Sequence, residues 1–102
     1  MGEKGDLRRH PRMPANAAAS LSWIDAQGNK QFVNAAVINI SESGIRVESR
    51  APLKAQTYVT IQSKELGLNG QASVRSCVKQ KTNWAIGLEF SGGMKWKPKS
   101  AN

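Results

Sequence analysis

The stretch WAIGLEF, residues 84–90, decides the fold class. Large apolar residues occupy every second position, and small or charged residues stand between them. A period of two residues is typical of a strand with one buried face. Residues 45–50, IRVESR, repeat the pattern, with Ile45 and Val47 on one face and charged residues on the other. Both stretches therefore predict half-buried β-strands.

Other stretches with the same character lie between polar turns, and no stretch supports a helix. Five of the predicted strands are residues 20–24, 31–41, 45–50, 57–62 and 84–90. The remaining predicted strand, fifth in chain order, contains Ala72, Val74 and Val78 on one buried face. In the fifth run, Cys77 alternates with Arg75 and Lys79, which predicts that it faces outward. Residues 66–70 are predicted to form a turn. Six short strands separated by turns favour a small antiparallel barrel or sandwich, and closure would protect the strand edges.

The 102 residues are enough for a single domain. Residues 1–15 are polar, carry Pro11 and Pro14 and show no periodicity, so we expect a flexible arm. Residues 16–91 form the predicted barrel, and residues 92–102 form a basic tail. Trp23, Trp84 and Phe90 are predicted to lie in the core, because they occupy apolar alternating faces. Trp96, in the tail, either contacts a partner or caps one end of the barrel.

The formal net charge of +8 favours an anionic partner, such as a nucleic acid, a phosphorylated ligand or an anionic membrane surface. No apolar run approaches the roughly 18–20 residues of a transmembrane helix, and the N-terminus has no secretory signal pattern. We therefore expect no membrane insertion. A single cysteine cannot form an internal disulfide, which fits the reducing cytoplasm.

Signatures of catalysis are nearly absent. The chain has one histidine, His10, and one cysteine, Cys77, whereas a metal site usually needs three or four ligands. No carboxylate pair has a setting for acid–base chemistry, and no glycine-rich phosphate loop occurs. We therefore expect a protein that is not an enzyme and has no metal or cofactor.

Two short motifs stand out. Arg8 and Arg12 form an R-x-x-x-R pattern in the arm, and Asn39, Ser41 and Gly44 form an N-x-S-x-x-G pattern between two predicted strands. Taken alone, the first is a common feature of basic proteins. The second alone indicates a hairpin turn with Gly44 at positive φ.

Together, in this order and about 30 residues apart, the two motifs resemble the PilZ domain family. The resemblance covers roughly residues 7–91, and residues 84–90 are similar to the last barrel strand of the family. It implies a six-stranded antiparallel β-barrel of the split-barrel type. It also implies a bacterial receptor for the second messenger cyclic di-GMP, which carries two phosphates and two guanines.

The residues implied for the ligand site are Arg8, Arg9, Arg12, Asn39, Ser41 and Gly44. Guanidinium groups suit this ligand because they bind phosphate bidentately, stack on flat rings and pair with guanine O6 and N7. The two short polar side chains could contact guanine edges or the sugar–phosphate, and Gly44 would permit a close approach. Leu7 adds no further guanidinium before the first motif, which favours one bound ligand.

Ligand binding is expected to change the conformation of the arm and so to signal to an unidentified partner protein. Two alternatives stay open. The first is a basic barrel of the OB type that binds single-stranded nucleic acid, which would need aromatic rings interleaved with charges on one face. The six aromatic residues mostly sit on predicted apolar faces, which disfavours that function. The second is a PilZ-like interaction module that does not bind nucleotide.

Overall fold

The computed structural model describes residues 13–92 and 96, with side chains from residue 17 onward. Six antiparallel strands close into a barrel in the order β1-β2-β3-β6-β5-β4, and the described part of the chain has no helix. This confirms the predicted six-stranded barrel. The strands are β1 (Met13–Ile24), β2 (Lys30–Ile40), β3 (Gly44–Ser49), β4 (Tyr58–Ser63), β5 (Leu68–Lys79) and β6 (Trp84–Phe90).

The core is built from the inward face of every strand. Each strand contributes at least one aliphatic side chain with almost no exposure: Leu21, Ile40, Val47, Ile61, Val74 and Ile86. Burial of one such side chain stabilises the fold by roughly 1.5–3 kcal/mol. The predicted alternation of β3 and β6 is confirmed, because Val47 and Ile86 pair across the two strands inside the barrel.

The first strand is longer than the sequence pattern predicts. It begins at Met13, although the apolar alternation starts only near residue 20 and residues 13–15 fall within the predicted arm. Residues 17–19 are alanines that pair with residues 35–37 of β2. Small side chains give almost no periodic signal, so the hydrogen-bonded ladder with β2 defines this part of the strand.

The fifth strand contains a β-bulge that overturns the predicted facing of its second half. The register shifts between Val74 and Ser76, which leaves Arg75 as the extra residue. Beyond this point the alternation is reversed: Cys77 packs half-buried against the core, and Val78 is exposed. The outward prediction for Cys77 and the inward prediction for Val78 are therefore wrong. The strand also begins at Leu68, inside the predicted turn.

The tail returns to the barrel at Trp96. This side chain is buried, and its indole N–H donates a 2.8 Å hydrogen bond to the Leu66 carbonyl. Of the two alternatives for Trp96, the structure supports the cap on a barrel end. Phe90 is buried as predicted, and Trp23 and Trp84 pack half-buried against the core.

Candidate functional site

The second motif forms the turn between β2 and β3. The Ser41 N–H donates a 2.8 Å hydrogen bond to the Gly44 carbonyl, and the Gly44 N–H donates one of 3.2 Å to Ser41 Oγ. Ser41 is buried, and its hydroxyl forms hydrogen bonds within its own turn. Its hydroxyl holds the turn in shape, a role beyond the direct ligand contact that the sequence suggested.

The structure gives Gly44 a different reason to lack a side chain. Its φ is not positive, so the sequence-based prediction of a left-handed conformation is wrong. A β-carbon at this position would lie 2.6 Å from the Leu88 carbonyl oxygen of β6, a distance that real β-carbons essentially never show. The glycine is therefore required by the close approach of the β6 backbone.

Hydrogen bonds from residues far away in the chain also fix this turn. The Phe90 N–H donates a 2.9 Å hydrogen bond to the Ser43 carbonyl, and the Trp96 N–H donates one of 3.1 Å to the Glu42 carbonyl. The end of β6 and the capping tryptophan thus support two successive peptide groups of the turn. The motif is presented on a preorganised platform.

A solvent-open cavity of about 250 Å³ lies in front of this platform. Strand pairing explains its shape. Asn39 pairs with Arg46, Arg46 with Gly87, and Gly87 with Ser76, which places one row of outward positions across four strands. The cavity is lined by Asn39, Ser41, Ser43, Gly44, Ile45, Arg46, Arg75, Ser76, Gly87, Leu88 and Glu89.

Two guanidinium groups and one carboxylate set the charge of the described lining. Arg75 Nε lies 3.3 Å from Glu89 Oε1, and both side chains are more than half exposed. Arg46 is half-buried and lines the same cavity. These lining side chains leave one net positive charge, which suits an anionic ligand with additional hydrogen-bonding groups.

The structure brings Asn39, Ser41 and Gly44 into this one cavity, as the resemblance implies. The residues expected to complete the site from the arm, Arg8, Arg9 and Arg12, lie outside the described residues, as does Leu7. Sequence reasoning missed several lining residues, namely Arg46, Arg75, Ser76, Gly87 and Glu89. The alternation marked Arg46 and Glu89 as outward-facing, but only the register of β3, β6 and β5 shows that they stand beside the motif.

Other kinds of site find no support in the described residues. Within residues 13–92 and at residue 96, no three His, Cys, Asp or Glu side chains come together as a metal site would require. The same part of the chain contains no helix long and apolar enough to cross a membrane.

The described chain is a small antiparallel barrel, and its motif turn and neighbouring strands line a cavity with a net positive charge. The family model described as the PilZ domain matches residues 6–95. The chain therefore belongs to the PilZ domain family. No curated protein sequence matches the chain significantly.

Solved structures with the same fold include two in complex with c-di-GMP. The PilZ domain of YcgR from Escherichia coli has a TM-score of 0.64 at 12% identity, over 85% of this chain and 79% of that one. The MrkH complex from K. pneumonia has a TM-score of 0.63 at 16% identity, over 86% of this chain. The match spans 46% of the MrkH chain, about half of its length. At these identities the likeness concerns the fold.

Proposed function

We propose that this protein is a receptor for cyclic di-GMP. The observation that carries the proposal is the convergence of Asn39, Ser41 and Gly44 with Arg46 and Arg75 in one cavity. Family membership supports the same ligand, as do the two structural neighbours that were solved with c-di-GMP. The single cysteine of the chain fits a cytoplasmic location.

The chemistry of the cavity suits part of a dinucleotide. Its volume of about 250 Å³ lies slightly below the roughly 300–1,000 Å³ of pockets that enclose a drug-sized ligand. The described residues therefore contact only one side of a bound dinucleotide, and the ligand needs a second contact surface. In our proposal the arm provides this surface.

The proposed role of Arg8, Arg9 and Arg12 is to clamp the ligand against the barrel. Arginine binds phosphate oxygens bidentately, and its planar guanidinium also stacks on purine rings. Arg12 directly precedes β1, and Arg8 lies four positions earlier. The first residue of β1, Met13, pairs with Ile40 at the end of β2. Since Asn39 and Ser41 flank Ile40, this pairing brings the start of β1 to the motif turn. Closure of the arm over a bound ligand would change the surface that a partner protein contacts.

Calorimetric titration tests the proposal. We expect the protein to bind cyclic di-GMP well below millimolar concentration and to distinguish it from GTP and cyclic di-AMP. Replacement of Arg8 or Arg12 by alanine should lower the affinity by about ten- to hundred-fold. Arg12→Lys should restore only part of it, because lysine keeps the charge without the planar fork. Binding should also weaken as salt rises.

Arg50→Ala is the matched control, because it removes the same charge at a position outside the cavity. This variant should keep the wild-type affinity. All three arginine-to-alanine variants should melt close to the wild-type temperature, and amide exchange over residues 5–14 should slow when ligand is added. Wild-type affinity in both motif variants would disprove the arginine clamp, and equal affinity for the three nucleotides would disprove guanine recognition.

One observation favours the alternative of single-stranded nucleic acid. Phe32 and Tyr58 are 71% and 68% exposed, whereas the other four aromatic residues are buried or pack against the core as expected. Strand pairing places them on the outer surface of β2 and β4, on either side of β1. A short oligonucleotide titrated into Phe32→Ala and Tyr58→Ala tests this function. Weaker oligonucleotide binding with unchanged cyclic di-GMP binding would assign the rings to nucleic acid.

A further inference from the structure

The bulge in β5 places Arg75 at the edge of the cavity. Val74 pairs with Leu88 and Ser76 pairs with Gly87, so two consecutive positions of β6 face three residues of β5. Arg75 is the residue left over, and its side chain lines the cavity that also contains the motif residues. Bulges of this kind commonly redirect a side chain beside a functional site.

Glu89 stands next to this arginine on β6. Its register partners are Gly44 of the motif and Ser73 of β5, and its carboxylate Oε1 lies 3.3 Å from Arg75 Nε. The two side chains are 60% and 57% exposed, so water screens their attraction and the pair holds only weakly. A ligand group can therefore replace or share this contact at little cost.

The pair presents a hydrogen-bond donor beside an acceptor. The guanidinium of Arg75 donates, and the carboxylate of Glu89 accepts. Guanine offers the complementary order at one edge, where O6 accepts and the neighbouring N1–H donates. Adenine offers the opposite order, because its N6 amino group donates and its N1 accepts. The carboxylate also disfavours a phosphate at this position, since like charges repel.

We propose that Arg75 and Glu89 together read a guanine base of the ligand and so determine specificity against adenine dinucleotides. This inference rests on the proposed function. It assigns base discrimination to two residues outside both motifs and leaves the phosphates to the arm arginines. Gly44 is the register partner of Glu89, and Gly44 and Gly87 line the same cavity as the pair.

The test compares affinities for cyclic di-GMP and cyclic di-AMP in the wild type, Arg75→Ala, Arg75→Lys and Glu89→Gln. We expect the alanine variant and Glu89→Gln each to lower cyclic di-GMP affinity by about ten- to hundred-fold. The affinity for cyclic di-AMP should stay constant or rise, so the ratio of the two affinities falls. Arg75→Lys keeps the charge but loses the planar fork, so its ratio should also fall. Arg50→Ala should leave both affinities unchanged.

Three outcomes overturn the inference. Equal losses for both dinucleotides would show that Arg75 contacts a phosphate. Unchanged affinities in Arg75→Ala and Glu89→Gln would show that the pair does not contact the ligand. If Arg75→Ala does not fold, Arg75→Lys replaces it. An unchanged ratio of the cyclic di-GMP and cyclic di-AMP affinities in Arg75→Lys and Glu89→Gln would then show the same. Failure of the wild type to bind cyclic di-GMP would refute the proposed function itself, which distinguishes the two failures.

Discussion

The turns at the two ends of β2 are both short and polar and contain a glycine or border one, but different parts of the chain hold them in shape. At the β1–β2 turn, Asp25 Oδ1 accepts hydrogen bonds of 2.9 and 2.8 Å from the Gln27 and Asn29 N–H groups, and Oδ2 accepts one of 2.9 Å from Gln31 Nε2. At the β2–β3 turn, local bonds of Ser41 are joined by bonds from Phe90 and Trp96.

The difference separates a turn whose shape is set locally from a turn that distant elements of the barrel hold. The first turn is satisfied by residues within seven positions of one another, so its conformation is a local property. The second is fixed by strand β6 and by a residue more than fifty positions away in the chain. Preorganisation by distant elements is what a ligand site needs, because it reduces the ordering cost at the moment of binding.

The largest expected effect on stability follows from removal of the Trp96 side chain, which lies far from the β2–β3 turn in the chain. Trp96→Ala deletes a buried aromatic side chain and its hydrogen bond to the Leu66 carbonyl. We expect a loss of about 3–5 kcal/mol in the free energy of unfolding. Denaturant titration measures this loss, and calorimetry on the folded fraction should show weaker ligand binding. A stability close to that of the wild type would mean that Trp96 does not anchor the turn.

The next effect separates two glycines, one at each turn. Gly44→Ala brings a β-carbon against the Leu88 carbonyl, so we expect a destabilisation of about 1–3 kcal/mol together with loss of ligand binding. Gly28 has a φ of +84° but open space around it, so Gly28→Ala should cost about 1 kcal/mol and leave binding intact. Thermal melts and titrations of both variants test this. Equal binding in the two would remove the steric role of Gly44.

A smaller effect separates two serines that make similar bonds. Ser41 Oγ accepts from the Gly44 N–H in the motif turn, and Ser49 Oγ accepts from the Ala51 N–H at the end of β3. Each serine-to-alanine change should cost about 0.5–1.5 kcal/mol of stability. Only Ser41→Ala should also weaken cyclic di-GMP binding, as calorimetry can establish. An unaltered affinity for Ser41→Ala would exclude Ser41 from the site.

The smallest expected effect is on the pH dependence of the folding stability, through the Asp25 carboxylate. Hydrogen bonds to the Asp25 carboxylate, first of all from the Asn29 N–H and then from the Gln31 side chain, hold the pKa of Asp25 below its ordinary value. A carboxyl whose pKa is lowered on folding stabilises the fold above its unfolded pKa of about 3.9, and this stabilisation is lost as the pH falls through the folded value. Melting curves between pH 6 and pH 2 should therefore show a slightly steeper acid loss in the wild type than in Asp25→Asn. Parallel curves would contradict this role for Asp25.

Local pattern was a good guide wherever side chains alternate strongly in size. The strands at residues 45–50 and 84–90 could be predicted because Ile, Val, Leu and Phe occupy every second position. The alanines of β1 and the bulge at Arg75 could not, because the first carry no periodic signal and the second breaks the period. For the same reason, the facing of Cys77 was predicted incorrectly.

The sequence by itself determined the class of fold, the order of the two motifs and the placement of Asn39, Ser41 and Gly44 at one junction between two strands. These properties depend on residue type and on neighbours a few positions apart. Only the tertiary structure decided that Arg46, Arg75 and Glu89 stand beside that turn, that Gly44 is required by the β6 backbone, and that Trp96 supports the motif. The physical reason is that these contacts are set by strand register and barrel closure, which join residues far apart in the chain and leave no local pattern.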